Sequence, residues 1–489
     1  MRRLFKQAAR VFGVATVLML CASAVMHAQP GVTSHAGTLA DGAKFLIEVP
    51  ANWNGTLFLY SHGYVTPGSP NPATDVGDPI TRFFMLSSGY ALAGSSYATT
   101  GWAIHEALPD QMAVLDQFDS LVGKPQQTIA WGHSLGGMIT AGLIERFPNR
   151  FTAALPMCGV LSGGVATWNS GLDGTFAFKT LLAANTPLQV VNITINPLVN
   201  LGIAEQALAG AQATAQGRAR IALVGAVSDL PGWFDPTAPE PAATDFAARE
   251  TNQFLWQQQV DFPFGFAFRA ELEARAQGNP SWNAGVDYRR LLQNSIDREE
   301  VRALYREAGI SLDSDLDTLN EAARIKASGD SVAYLEKNIV FTGEIHIPVL
   351  TLHTKGDGLV IVQNESAYKD VVEDADRERL LQQRFVSRAG HCTFTPAETI
   401  SAVRTLINRV DTGRWQRDTD ADELNSAAAS LGPSFNVLFT ALGAIPTPAA
   451  FVDLTPTRYP RPFDAFDACE LSFGRERECR SRFDFFEDR

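Results

Sequence analysis

The sequence has little of what metal, nucleotide and nucleic-acid sites require. Its 489 residues include only 5 cysteines and 8 histidines. These residues form neither a Cys-x-x-Cys nor a His-x-x-x-His motif, so the usual spacings of a metal site are missing. Because no Gly-x-Gly-x-x-Gly loop occurs either, we expect no cofactor. The formal net charge of -13 is opposite in sign to that of a nucleic-acid-binding surface, so we expect no nucleic-acid partner.

Long apolar runs are also rare, and none beyond the N-terminal region is apolar enough to cross a membrane. Residues 11–20 are apolar, follow a basic start and precede a group of small residues. This order is typical of an export signal, so we predict a signal peptide over residues 1–28 and a secreted or periplasmic protein. Cys21 leaves a lipid anchor as an alternative, although the bulky Leu20 before it argues against one.

The next part of the chain alternates between two kinds of pattern. Thr56–Tyr60 and Tyr90–Ser96 are continuous apolar runs, which are typical of strands buried on both faces of a parallel sheet. Between such runs lie amphipathic stretches, for example Leu108–Leu121, whose apolar residues form one helical stripe. This order predicts an α/β domain with a mostly parallel sheet. With 45% hydrophobic and 19% charged residues the composition is that of a globular protein, and 489 residues are enough for one large domain with an insertion or for two domains.

The most specific motif is a Gly-x-Ser-x-Gly pattern centred on Ser134. A strand pattern precedes it and a helical pattern follows it, so Ser134 is predicted to lie on a tight strand-to-helix turn. The glycines at 132 and 136 avoid the clashes that side chains would cause in such a turn. The helix dipole and the N–H group of Leu135 would then face a negative charge that develops beside the serine.

The run Gly-His-Ser-Leu-Gly-Gly resembles the nucleophile elbow of α/β-hydrolases of the lipase and esterase type. This resemblance implies a catalytic triad in the chain order Ser, Asp, His. Asp357 follows a buried strand pattern and lies between glycines, so it is the predicted acid; rivals such as Glu365 lie in a helical pattern that looks exposed. His391 is the only histidine after Asp357 and is the predicted base.

The resemblance also implies where the oxyanion would bind. In α/β-hydrolases a His-Gly pair at the end of an early strand opens the oxyanion loop. The pair His62-Gly63 occupies that place, so the resemblance places one oxyanion donor at the N–H group of Tyr64. Leu135 is predicted to supply the other.

From residue 160 to residue 343 the alternation stops and the pattern becomes mostly helical. Lipases and esterases commonly insert a cap at this place, so we predict a helical cap over 160–343 and a hydrolase core formed by 29–159 and 344–413. Within the insertion, four phenylalanines are expected either to line a pocket for an apolar or aromatic group or to pack the cap onto the core. They are Phe262, Phe264, Phe266 and Phe268. Residues 414–489 are predicted to form an extension of unknown role beyond the core.

Four cysteines remain after removal of the signal peptide: Cys158, Cys392, Cys469 and Cys479. An even number in an oxidising compartment favours two disulfides, with four free or buried thiols as the alternative. Cys469 and Cys479 are close in sequence, so we expect them to be joined. Cys158 ends a strand and Cys392 follows His391, so the triad would bring them to one edge of the sheet. We therefore predict a second bridge, Cys158–Cys392, with two buried apolar side chains as the alternative.

Together these features predict an exported serine hydrolase that cleaves carboxylic esters through an acyl-enzyme, with a small-molecule or polymer ester as its substrate. An exported serine peptidase of the same fold, of the prolyl or tripeptidyl aminopeptidase kind, is the alternative, because acidic residues of the insertion could hold a substrate ammonium. A non-catalytic binding protein is disfavoured by the intact Ser134, Asp357 and His391. Acyl transfer and thioester chemistry stay open, and the sequence identifies neither the substrate nor the oligomeric state.

Overall fold

The structure, a computed structural model, describes residues 31–415, 420–441 and 443–463. The predicted signal peptide lies outside these residues, as do Cys469 and Cys479. Within the described ranges, no helix is both long and apolar enough to cross a membrane.

The chain divides into two compact units. The first takes the described residues up to Leu161, together with 236–238 and Phe341–Pro456. The second takes Ser162–Asp235, Pro239–Val340 and the described residues from Thr457 onwards. The predicted site residues Ser134, Asp357 and His391 therefore all belong to the first unit.

The first unit is built on a nine-stranded sheet with the spatial order β1-β2-β4-β3-β5-β6-β7-β8-β11. The strands, with a separate β9–β10 hairpin, are β1 (Val32–Thr38), β2 (Lys44–Pro50), β3 (Thr56–Ser61), β4 (Ala91–Ser95), β5 (Gln127–His133), β6 (Ala153–Met157), β7 (Val349–Gly356), β8 (Leu381–Ala389), β9 (Val437–Thr440), β10 (Gly443–Pro446) and β11 (Phe451–Val452). From β4 to β8 every neighbouring pair is parallel, while β1, β2 and β11 pair antiparallel. The predicted mostly parallel sheet is confirmed.

Helices connect the strands and form the second unit. In chain order they are α1 (Pro79–Ser87), α2 (Ile104–Leu121), α3 (Leu135–Arg146), α4 (Gly163–Leu182), α5 (Pro197–Gln212), α6 (Ala215–Val227), α7 (Phe246–Trp256), α8 (Arg269–Arg275), α9 (Tyr288–Asn294), α10 (Arg298–Ala308), α11 (Leu312–Glu321), α12 (Gly329–Lys337), α13 (Asn364–Asp374), α14 (Pro396–Thr412) and α15 (Ala421–Ser430). Two π-helical segments, Gln257–Asp261 and Pro263–Phe268, lie between α7 and α8. Helices α4 to α12 belong to the second unit.

The sheet has the burial that its sequence predicts. Every residue of β3, β4 and β6 is buried, as expected of strands with covered faces. Because β3, β5, β6, β7 and β8 are parallel neighbours, their carboxyl ends meet at one edge of the sheet. This edge carries the ends of the strands that lead to Ser134, Asp357 and His391.

Part of the chain beyond Arg414 belongs to the first unit, so the prediction that it lies beyond the core is wrong for that part. Leu424 and Ala428 of α15 are buried in the same apolar cluster as α14, and β11 pairs with β8 at the edge of the sheet. A strand of two residues is too short for its alternation to be recognised in a sequence.

The second unit has an apolar interior of its own. Phe262 and Phe266 are buried in it, with ring centroids 4.5 and 5.9 Å from that of Phe178. Phe264 and Phe268 are half-buried, and their rings contact each other edge to face. Two of the four phenylalanines therefore pack the helical unit itself. That residues 160–343 act as a cap stays a prediction.

Candidate active site

Ser134 lies between the last residue of β5 and the first residue of α3. Its backbone has φ 60° and ψ -125°, a strained conformation for a residue with a side chain. This turn brings the chain very close to the end of β3, where a side chain at position 132 or 136 would clash. A Cβ atom on Gly132 would lie 2.4 Å from the carbonyl oxygen of Ser61, and one on Gly136 would lie 1.9 Å from it. The predicted need for glycine at both positions is confirmed.

The structure brings the three predicted triad residues together. His391 Nε2 lies 2.7 Å from Ser134 Oγ, and His391 Nδ1 lies 2.7 Å from Asp357 Oδ2. Ser134 and Asp357 are 223 residues apart in the sequence, and the parallel sheet brings their strand ends to the same edge. A serine, an imidazole and a carboxylate in this hydrogen-bonded order can activate the serine as a nucleophile.

Asp357 is buried and held by the backbone of its own loop. Its Oδ1 accepts hydrogen bonds of 3.0 Å from the N–H groups of Leu359 and Val360, which leaves Oδ2 for His391. Burial alone would raise the pKa of this carboxyl, but the charge of His391 and the hydrogen bonds to His353 and His391 lower it. Asp357 is therefore ionised at neutral pH.

The loop that carries His391 is fixed beyond the triad. Arg388, at the end of β8, makes two hydrogen bonds of 2.7 and 3.0 Å to the carboxylate of Glu398 in the first turn of α14. Glu398 also caps α14 together with Thr395. The strand before the histidine and the helix after it are thus tied to each other.

A disulfide joins Cys158 to Cys392, with a Cα–Cα distance of 5.4 Å. The bond connects the end of β6 to the residue after His391, as predicted from the sequence. Cys392 Sγ lies 3.4 Å from His391 Nε2, so the bridge is in contact with the imidazole. The other predicted pair, Cys469 and Cys479, lies outside the described residues.

The predicted oxyanion region lies beside the serine. A Cβ atom on Gly63 would lie 3.2 Å from Ser134 Cβ and 3.7 Å from Ser134 Oγ, so the backbone after β3 passes along the nucleophile. Tyr64 is the next residue. Leu135 opens α3, and the N–H group of a first helical residue has no acceptor within its helix. The roles of Tyr64 and Leu135 as oxyanion donors stay predictions.

No family model matches the chain. The o-phthalyl amidase of Xanthobacter agilis is 29% identical to it over 449 residues, which cover 85% of this chain and 96% of the amidase. The similarity therefore extends over nearly the whole amidase. Separately, the order of the strands in the sheet and the turn at Ser134 are those of the fold that the Gly-x-Ser-x-Gly motif implies. The chain has the α/β-hydrolase fold.

Solved structures with likeness to this chain include esterases and a peptidase. The rice cell wall degrading esterase of Xanthomonas oryzae is 13% identical and covers 77% of this chain and 87% of its own, with a TM-score of 0.34. An esterase of Pyrococcus furiosus is 12% identical and covers 75% and 87%, with a TM-score of 0.34. An acylaminoacyl peptidase of Pyrococcus horikoshii is 10% identical, with a TM-score of 0.33; the match covers 74% of this chain and 38% of the peptidase. These TM-scores are too low to identify the fold, so the fold is identified by the order of the strands in the sheet alone.

One set of three potential metal ligands occurs in the described part of this chain: Cys158, His391 and Cys392. Both sulfur atoms belong to the disulfide, and a metal ion binds the thiolate form of cysteine. The set can therefore serve as a metal site only in a reduced protein.

The position of Glu365 differs from the one predicted from the sequence. It lies in the first turn of α13 and is fully buried, so the expectation of an exposed side chain is wrong. Its carboxylate contacts His353, whose Nδ1 lies 3.0 Å from Glu365 Oε1. Helical periodicity did not reveal this contact because it depends on which strand covers the start of the helix. The available signal was a histidine and an acid twelve residues apart, at 353 and 365, on either side of Asp357.

Another contact missed in the sequence is that of His133, the residue before the serine. Its Nδ1 lies 3.0 Å from the hydroxyl of Tyr60 on β3. Burial lowers the pKa of His133 to about 4, so this side chain is neutral at pH 7. It therefore places no second positive charge beside His391. The hydrogen bond between His133 and Tyr60 links the elbow to the neighbouring strand β3.

Proposed function

We propose that this protein cleaves carboxylic acyl bonds through a Ser134–His391–Asp357 triad and a covalent acyl-enzyme. The observation that carries the proposal is the continuous pair of 2.7 Å hydrogen bonds from Ser134 Oγ to His391 and from His391 to Asp357. The strained turn that presents the serine at the start of α3 supports it.

The first half of the reaction follows from the positions of the protons. Asp357 accepts a hydrogen bond from the N–H group at His391 Nδ1, so His391 Nε2 is free to take the proton of Ser134 Oγ as that oxygen attacks the substrate carbonyl. The carbonyl oxygen becomes negatively charged beside the start of α3. The N–H groups of Leu135 and Tyr64 would hold this oxyanion, and one such donor is worth roughly 3 to 4 kcal/mol.

In the second half, protonated His391 gives its proton to the leaving alcohol or amine, and the bond from the carbonyl carbon breaks. The acyl group then remains on Ser134 as an ester. A water molecule that transfers its proton to His391 attacks this ester, the acid leaves, and the proton returns to Ser134. Asp357 stabilises the imidazolium in both halves and does not itself take up the proton.

A carboxylic ester is the first candidate for the bond that is cleaved. An amide of an aromatic acid is the second, and it is favoured by the 29% identity to an o-phthalyl amidase over 96% of that protein. Esters and amides of one acid give the same acyl-enzyme, so the triad serves both. They differ in the departure of the leaving group, because an amine leaves only if His391 protonates it.

The proposal is tested by labelling and by a matched substrate panel. A fluorophosphonate probe should label the wild-type protein once, and the Ser134→Ala variant should neither be labelled nor turn over substrate. Phthalate monoamides and monoesters with the same leaving-group carbon skeleton, beside aminoacyl nitroanilides, then identify the bond. Turnover of the monoamide would establish the amide candidate. Turnover of the nitroanilides alone would establish a peptidase instead.

We also propose that the protein is exported, and the Cys158–Cys392 disulfide supports this because such bonds persist in oxidising compartments. N-terminal sequencing of protein recovered from a secreting host should find a chain that begins between residues 25 and 29. An intact Met1 in protein recovered from the cytoplasm would contradict export.

A further inference from the structure

His353 is a buried histidine at the end of β7 that the proposed mechanism does not use. It is fully buried, and both of its ring nitrogens face acceptors. Nε2 lies 2.8 Å from the carbonyl oxygen of Val360, and Nδ1 lies 3.0 Å from Glu365 Oε1. A carbonyl oxygen can only accept, so Nε2 must carry a proton.

The surroundings of Glu365 place a second proton on His353. Glu365 Oε2 accepts hydrogen bonds of 2.5 Å from the hydroxyl of Thr351 and of 2.6 Å from the side-chain amide of Gln383. Glu365 Oε2 is the acceptor in both of these contacts. Its remaining oxygen therefore accepts from His353 Nδ1, and the imidazole is doubly protonated.

This charged imidazole lies next to the acid of the triad. His353 Nε2 is 3.6 Å from Asp357 Oδ2, the oxygen that also contacts His391. Without the positive charge, the carboxylates of Asp357 and Glu365 would face each other in the interior with no counter-charge between them. Val360 connects the two side chains: its N–H group donates a hydrogen bond to Asp357 Oδ1, and its carbonyl oxygen accepts one from His353 Nε2.

We propose that His353, paired with Glu365, is a positioning residue that acts through Asp357. As a permanent cation, His353 keeps the carboxylate of Asp357 ionised and fixes the loop that carries it. The same charge weakens the attraction of that carboxylate for the proton of His391. This inference deepens the proposed function and rests on it. The pKa of His353 agrees with it, because burial would lower that pKa but the hydrogen bonds and charges of Asp357 and Glu365 raise it to about 10.

The titratable groups that face the cation are few. Asp357 lies on its own strand end, Glu365 lies on α13, and His391 lies beyond Asp357 on the loop after β8. Tyr368, also on α13, is buried, and burial together with the charges of Glu145 and Glu365 raises its pKa, so it stays protonated. The effect of His353 on the pH dependence of catalysis is therefore carried by Asp357 and Glu365.

Two substitutions should move the pH profile in opposite directions. His353→Gln removes the cation, so a proton on His391 is held more firmly and the acid limb of kcat/KM moves up, by on the order of one pH unit. Glu365→Gln leaves His353 with two acceptors but removes its counter-charge, so the acid limb moves down. Thr351→Val is the matched control, because it removes a hydrogen bond to Glu365 without changing any charge; it should lower Tm and leave the limb in place.

A spectroscopic measurement on the whole protein tests the charge independently of activity. In ¹⁵N-histidine-labelled wild type, the signal that is lost in His353→Gln should show both nitrogens protonated from pH 6 to pH 9. A neutral His353 at pH 7, or acid limbs that stay in place in both charge variants, would overturn the inference. Failure of the proposed function is distinguishable, because wild type would then show no turnover, or Ser134→Ala would retain it, whatever the state of His353.

Discussion

At the scale of single residues, the site controls where the protons of His391 lie. Asp357 Oδ2 is 2.7 Å from Nδ1, and the N–H groups of Leu359 and Val360 hold the other carboxylate oxygen. The carboxylate can therefore only accept, so the neutral imidazole must present its lone pair to Ser134. A side chain that can also donate would favour the wrong form of the ring.

Asp357→Asn should accordingly lower kcat by about ten-thousand-fold while the protein stays folded. The matched control is Asp370→Asn, which changes an exposed acid of α13. Steady-state kinetics with the best substrate of the panel, together with thermal melting, measures both effects. Near-normal activity of Asp357→Asn combined with an inactive Asp370→Asn would show that the acid has been misplaced.

The glycine at 136 is predicted to be irreplaceable for a steric reason. A Cβ atom there would lie 1.9 Å from the backbone oxygen of Ser61, which cannot move without disrupting β3. Gly136→Ala should therefore prevent folding or abolish activity with a large loss of Tm. In Gly210→Ala, by contrast, the new Cβ meets nothing within 4 Å in helix α5, so this control should be stabilised by roughly 0.5 to 1 kcal/mol. Equal stability of the two variants would contradict the close approach at the elbow.

At the scale of elements, the connection from β8 to α14 is held at two points. Arg388 and Glu398 tie its ends, and the disulfide ties its middle to the end of β6. The second tie closes a loop of 234 residues, for which chain entropy suggests a stabilisation on the order of 4 to 5 kcal/mol. Because Cys392 is next to His391, the same bond fixes the imidazole.

Mild reduction should therefore lower kcat and Tm together, and Cys392→Ala should reproduce both losses. Reducing agent added to Cys392→Ala is the control, and it should change neither quantity any further. Kinetics and scanning fluorimetry with and without dithiothreitol measure the effects. Full activity of Cys392→Ala, with two free thiols titrated at these positions in native wild type, would exclude a role for the bridge.

At the scale of the whole molecule, stability should fall as the pH rises to about 8, because the second unit buries several acids, one of which, Glu300, pairs with Arg249. Burial, as the main cause, raises the pKa of Asp229 to about 7, of Glu250 to about 7 and of Glu300 to about 8. A raised pKa in the folded state means that folding takes up protons. Its contribution to stability is complete below the pKa of the unfolded chain and is lost as the pH rises through the folded pKa.

Tm should accordingly be lower at pH 9 than at pH 6, and Glu300→Gln should remove part of that difference. Glu299→Gln is the matched control, because Glu299 is the adjacent acid on α10 and is exposed. Scanning fluorimetry across pH 5 to 9 measures both variants. A Tm that does not change between pH 6 and pH 9, or a Glu299→Gln variant that changes as much as Glu300→Gln, would contradict this reading.

Sequence alone was sufficient where the determining contacts are local. The elbow around Ser134 was predictable because its glycines and the strand and helix patterns beside it are local. Asp357 and His391 were assigned from the chain order Ser, Asp, His that the resemblance to α/β-hydrolases implies. Glu365 was misjudged because its burial depends on β7, which is distant from the pattern of its own helix. The strand β11 was missed because two residues carry no periodicity, and its place depends on β8.

The central claim is that Ser134 carries the acyl group during turnover, and acid quenching followed by peptide mass analysis tests it most directly. Protein quenched within the first turnover of a phthalate monoester should contain the phthalyl mass on the peptide that includes Ser134. The Ser134→Ala protein should contain none and should retain less than about a thousandth of the wild-type kcat. Turnover without any acyl group on Ser134, or with the acyl group on another residue, would contradict the account.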